Sequence, residues 1–78
     1  MRLFAGARAA AGGIDAVDLV MPTGATIRDA LDLVAEDHPG LRPVIPACSF
    51  LLDGFRTTPA TAIGGGRTLD VLPPFSGG

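Results

Sequence analysis

The chain has 78 residues, 47% of them hydrophobic, with a mean hydropathy of +0.42. That is enough for one globular domain that buries about 60–65% of its unfolded surface, and too little for two. A net charge of −2 without Trp or Tyr leaves neither a basic surface for phosphate backbones nor stacking aromatics, so nucleic acid is not an expected partner. A single cysteine, Cys48, excludes an internal disulfide and any multi-cysteine metal or iron–sulfur site. All the basic residues are arginine, which excludes a phosphate-binding P-loop and lysine-based catalysis. No apolar run approaches the roughly 20 residues of a membrane span, and Arg8 interrupts the apolar opening. The expectation is a cytoplasmic protein without a membrane partner.

Residues 2–7 read as an opening strand, followed by an Ala/Gly-rich turn through Gly12 and Gly13. In residues 14–21, Val17, Leu19 and Met21 alternate with Asp18 and Val20, which suits a half-buried strand forming a hairpin with the first. Pro22-Thr23-Gly24 ends it. Thr26 then opens a helix with a capping box in which Asp29 replaces the usual Glu. Ile27, Ala30, Leu31 and Val34 fall on one helical face, and Arg28, Asp29, Asp32 and Glu36 on the other. The helix is expected to stop before His38-Pro39-Gly40, because the residue preceding proline is driven out of the α region. His38 sits at the negative end of the helix dipole and has no nucleophile–acid set beside it, so it reads as structural.

A loop over residues 41–47, with Pro43 and Pro46, leads to a strand at 48–52, where Cys48 is read as a small core residue. Asp53-Gly54 signals a two-residue hairpin turn into Phe55-Arg56. Residues 57–66 form a polar connection anchored by Ile63, with Gly64-Gly65-Gly66 as a plain turn. Residues 68–72 make the last strand, with Leu69 and Val71 on one face and Thr68, Asp70 and Leu72 on the other. One helix can cover one face of such a sheet, which gives a two-layer α+β domain. The simplest closure lays the last strand beside the first, in the middle of the sheet.

Beyond that strand runs Leu72-Pro73-Pro74-Phe75-Ser76-Gly77-Gly78. The proline pair fixes two φ angles and removes two N–H donors, favouring a stiff stalk. Phe75 to Gly78 then reach about 13 Å at full extension. Gly77 and Gly78 lack Cβ atoms, so this segment can thread a slot closed to other residues and present an unhindered carboxylate. A carboxylate with a pKa near 3.5 is ionised at neutral pH and acylates nothing. It becomes an acyl donor when it attacks the α-phosphate of ATP, forming an acyl-adenylate that later loses AMP. The chain carries no catalytic constellation of its own for this, so the active sites are expected on partners. The expected organisation is a domain over residues 1–72 and an extended tail over 73–78.

The run from Thr68 to Gly78, together with Phe4-Ala5-Gly6-Ala7-Arg8, Gly24-Ala25-Thr26 and Asp53-Gly54, resembles the MoaD-type small, sulfur-carrying subunit of molybdopterin synthase. The resemblance spans nearly the whole chain. Its specific part is the Pro-Pro-x-x-Gly-Gly ending; the rest is shared with thiamine sulfur carriers and other ubiquitin-like proteins. It implies a ubiquitin-like β-grasp fold, a mixed sheet with one main helix packed on one face. It further implies that a ubiquitin-activating-like enzyme adenylates Gly78 with ATP, that a sulfur donor converts it to a thiocarboxylate, and that a MoaE-type large subunit receives it. Sulfur then passes to cyclic pyranopterin monophosphate, with no metal and no cofactor bound by the carrier. Other sulfur acceptors, in thiamine thiazole or cysteine synthesis, and a protein-modifier role are the alternatives. Phe75, Leu72 and Phe4 are the candidate docking residues, joined along the tail by Pro73, Pro74 and Ser76. Phe4 is equally readable as part of the chain's own core, and Arg8 either steers an acidic partner or is an ordinary solvated arginine. Asp70 departs from the family pattern, in which that position is more often small or apolar.

Overall fold

A computed structural model describes residues 1–64 and 67–73, Ala5 and Gly6 by their backbone alone. Gly65, Gly66 and residues 74–78 lie outside it, so the turn expected at Gly64-Gly65-Gly66 falls largely outside the described residues. The regular elements are β1 (Arg2–Leu3), α1 (Ala5–Ala10), α2 (Ile27–Asp37), β2 (Ser49–Leu52), β3 (Phe55–Thr57) and β4 (Leu69–Leu72), with short 3₁₀ turns at Pro39–Leu41 and Ile45–Ala47. The strands form one mixed sheet in the order β1-β4-β2-β3. β4 runs parallel to β1 and antiparallel to β2, so the last strand lies beside the first inside the sheet, as the simplest closure requires.

The opening segment differs from the sequence expectation. Only Arg2 and Leu3 are strand; Phe4 is extended and caps the helix, and residues 5–7 belong to α1. The cause is local. Alanine has the highest helix propensity, and the glycine pair supplies the stop. Gly12 and Gly13 both have positive φ, +80° and +91°, and their N–H groups donate to the carbonyls of Ala9 and Arg8 in the crossed pattern of a Schellman cap. The expected strand over 14–21 is reduced to an isolated antiparallel bridge between Ala16 and Arg2, although the N–H groups of Leu3 and Val17 do bond Asp15 and Met1 across it. Its alternation persists: Val17, Leu19 and Met21 are half-buried against the core, and Asp18 and Val20 face outward.

α2 obeys the sequence closely. The Thr26 side chain accepts from the Asp29 N–H at 3.3 Å, and the Asp29 carboxylate accepts from the Thr26 N–H at 2.9 Å, completing the capping box. Two further N–H groups of the first turn, on Ile27 and Arg28, donate to the carbonyls of Thr61 and Pro59. The polar connection between β3 and β4 therefore serves as a second cap. Ile27, Ala30, Leu31 and Val34 face the sheet, where Leu3, Phe50, Leu52, Leu69 and Val71 meet them, and Ala35 is buried as well. Ile63 is buried as expected, and Leu41 in the first 3₁₀ turn closes the core at its edge. The Asp53-Gly54 turn has positive φ at both positions, +51° and +86°, as a primed hairpin turn demands. Cys48 is only half-buried; its Sγ donates to the Val44 carbonyl, and burial pushes the thiol pKa up.

Candidate functional site

The site grows from the position of β4. Hydrogen-bonded between β1 and β2, this strand is held on both sides, and it delivers Leu72 and Pro73 to one end of the sheet. Alternation puts Leu69 and Val71 into the core and turns Asp70 and Leu72 to the face that α2 does not cover. On β1 the same alternation places Arg2, and the extended residue Phe4 that follows Leu3, on this open face. Leu51 and Arg56 continue the row, since Asp70 is opposite Leu51 and Leu51 opposite Arg56.

Among the sequence candidates the structure brings Phe4 and Leu72 onto one surface. Phe4 is 38% exposed rather than part of the core, and its ring centroid lies 5.7 Å from the Arg2 guanidinium carbon. That distance is within cation–π range. Leu72 is half-buried opposite Ser49. Pro73 is half-buried at the end of β4. Arg8 is paired elsewhere: it extends from α1 to Asp15 at 3.1 Å, in an exposed ion pair. Pro74, Phe75, Ser76, Gly77 and Gly78 lie outside the described residues.

Arg2 was missed by sequence reasoning, and it explains the Asp70 departure. The carboxylate of Asp70, with its side chain only 8% exposed, accepts two hydrogen bonds from Arg2, Nε at 2.6 Å and Nη2 at 2.7 Å. Parallel pairing sets these residues directly opposite each other, 68 positions apart in the chain. The bidentate fork neutralises a charge that the sheet would otherwise bury alone. Asp70, first by hydrogen bonding and then by charge, pushes the Arg2 guanidinium pKa further above its ordinary value. The available signal was the i, i+2 spacing of Arg2 with Phe4 and of Asp70 with Leu72; only the strand order joins the two.

A second carboxylate organises the far end of β4. Asp53 accepts from the Thr68 N–H at 2.8 Å and from Arg67, while its own N–H donates to the Thr68 carbonyl. These contacts, the Thr68 bond first, hold the Asp53 carboxyl below the usual carboxylate range. Among the described residues no cluster of three metal-ligating side chains forms, and no helix is long and apolar enough to cross a membrane.

A mixed sheet with a central C-terminal strand, gripped on one face by a single main helix, defines a ubiquitin-like β-grasp protein. Comparison with solved structures agrees. SAMP1 from Haloferax volcanii has a TM-score of 0.86 at 30% identity, over 99% of this chain and 94% of that one. A second structure, of H. volcanii small archaeal modifier protein 1, gives 0.84 at 27% identity, over 95% and 93%. A proposed molybdopterin converting factor, subunit 1, from Pyrococcus furiosus gives 0.82 at 21%, over 95% and 93%, a likeness of fold alone. A search of curated proteins finds no match. The chain belongs to the ThiS family, whose model matches residues 1–78. It is a small ubiquitin-like protein of the ThiS/MoaD sulfur-carrier or small-modifier kind.

Proposed function

We propose that this protein is a cytoplasmic sulfur carrier for molybdopterin synthesis. Its residues 1–72 form the domain and residues 73–78 the tail, with the Gly78 carboxylate as the reacting group. The carboxylate attacks the α-phosphate of ATP in the active site of a ubiquitin-activating-like partner and displaces pyrophosphate. A sulfur donor then displaces AMP and leaves a thiocarboxylate. The loaded tail enters a MoaE-type large subunit and gives up its sulfur to cyclic pyranopterin monophosphate. Gly77, without a Cβ, lets the tail thread a narrow passage, Pro73 and Pro74 stiffen the approach, and Ser76 travels with them. Phe75, Phe4 and Leu72 supply apolar contact at the partner's entrance, where aromatic side chains are favoured anchors.

The observation that carries the reading is β4: it ends beside Phe4 on the uncovered face, and the sequence that follows it is Pro-Pro-Phe-Ser-Gly-Gly. The choice of molybdopterin over thiamine or cysteine synthesis rests on that Pro-Pro ending. Intact-mass spectrometry after incubation with ATP, a sulfur donor and the adenylating enzyme of the same organism tests it. The expected result is exchange of one oxygen for sulfur, mapped to Gly78, in a protein that co-purifies with a molybdopterin synthase large subunit. An unchanged mass, under conditions that load another carrier, refutes it.

The 30% identity to SAMP1 favours a second reading, a modifier joined to other proteins through Gly78. It predicts amide-linked adducts on lysines of other proteins, and none on this lysine-free chain.

A further inference from the structure

Arg28, in the first turn of α2, and Arg56, exposed on the edge strand β3 where a long side chain can wrap the margin of the sheet, line one surface groove of about 440 Å³ together with Ile45, Pro46 and Phe50. No acidic residue lines it. Elsewhere Asp70, Asp15 and Asp53 hold Arg2, Arg8 and Arg67 in ion pairs. Among the described residues Arg28, Arg42 and Arg56 have no such partner, and two of these three line this groove, so in a chain of net charge −2 it gathers uncompensated positive charge. It opens along β3, which ends the sheet and, among the described residues, has no strand on its outer side. It also lies at the end of the sheet where β4 releases the tail, because Ser49, one of its lining residues, is the pairing partner of Leu72.

We propose that this groove docks an extended acidic segment of the adenylating partner, its carboxylates set between Arg28 and Arg56 and an apolar side chain resting on Ile45, Pro46 and Phe50. The inference rests on the carrier reading above and adds the chemistry of the partner's contact. An unpaired sheet edge offers main-chain hydrogen bonds to an extended segment, and flanking arginines select its charge. A second copy of the chain fits poorly. Two-fold antiparallel pairing of the three-residue β3 would set Arg56 against Arg56, a like-charge pair that destabilises strand association. A small anion capping α2 fits no better, since the N–H groups of Ile27 and Arg28 already bond the carbonyls of Thr61 and Pro59.

The test is ATP–pyrophosphate exchange by the adenylating enzyme of the same organism, with the full chain as substrate. R28E/R56E is expected to raise KM roughly tenfold or more, leave kcat nearly unchanged, and flatten the salt dependence of KM. The neutral variant R28Q/R56Q, which is less demanding on folding, shifts KM in the same direction by less. A wild-type chain that serves as substrate with a KM untouched by both variants overturns this inference alone. A wild-type chain that is no substrate overturns the carrier reading and this inference with it. Two other results also overturn it: amide shifts at Thr57 and Thr58 on removal of residues 74–78, which would make the chain's own tail the occupant, or a dimer in sedimentation that R28E/R56E dissociates.

Discussion

Four residues have roles set by what lies directly against them. Asp70 and Arg2 are unequal partners, since the arginine side chain is 57% exposed and the aspartate 8%. Removing Arg2 strands a buried carboxylate, whereas removing Asp70 leaves an arginine that water can solvate. Arg2→Met is therefore expected to lower the thermal midpoint clearly, Asp70→Leu to change it little, and the double variant to recover most of the loss; equal losses from the two single variants would contradict this. Gly40 has a different constraint. A Cβ built there would lie 2.4 Å from the Ala10 carbonyl oxygen, a main-chain atom that cannot swing aside. Gly40→Ala is expected to cost about 1–3 kcal/mol in urea denaturation, as overpacking does. Asp53 has a carboxyl pKa depressed in the folded chain, so its contribution to stability is complete above the ordinary aspartate value near 3.9 and is lost as pH falls through the lower folded value. Thermal midpoints followed downward from about pH 5 should fall less steeply in Asp53→Asn than in the parent. Of these features only Asp53-Gly54 was legible in the sequence, because its turn chemistry is local. Gly40 looked like a turn glycine and proves to be a point of contact with a helix 30 residues earlier. Asp70 looked anomalous until pairing brought Arg2 to it.

At the scale of elements, legibility followed the range of the determining interactions. α2 carries its instructions within itself: the capping box, the apolar stripe and the His38-Pro39 stop. Its cap should be measurable, with Thr26→Ala costing about 1 kcal/mol in chemical denaturation. A loss well below that would mean that the carbonyls of Thr61 and Pro59 sustain the first turn unaided. α1 was misread because a strand reading of residues 2–7 extended a genuine two-residue strand through an alanine run. Gly12 and Gly13 read as a turn after a strand in the sequence, and they are the stop of a helix instead. The segment over 14–21 shows the opposite error. Its alternation describes burial correctly, yet only one bridge forms beside β1, which is itself only two residues long. The position of β4 inside the sheet followed from chain order and from the requirement that one helix cover one face, which makes it a topological rather than a local inference.

For the whole molecule, the candidate site divides between domain and tail. In the domain half, alternation along residues 68–72 is enough to turn Leu72 to the uncovered face, whereas Phe4 reads equally as core in the sequence and only the structure sets it on that face. The organising pair of this half, Arg2 with Asp70, was not legible. Deleting Gly78 is expected to leave circular dichroism and thermal midpoint unchanged while abolishing thiocarboxylate formation, since in the proposed function the fold of residues 1–72 and the chemistry of the tail are separable. Retained sulfur loading in that variant would move the reacting group elsewhere.

The sheet order also has a mechanical consequence. β1 and β4 are parallel neighbours, so tension applied between the start of the chain and the end of β4 acts along both strands and strains their cross-links together, in shear. A strand at the margin of an antiparallel hairpin would instead peel away one bond at a time. A partner that draws on the chain beyond Leu72 therefore pulls against β1 and β2 at once, and the domain resists as a unit instead of unravelling from the end that is pulled.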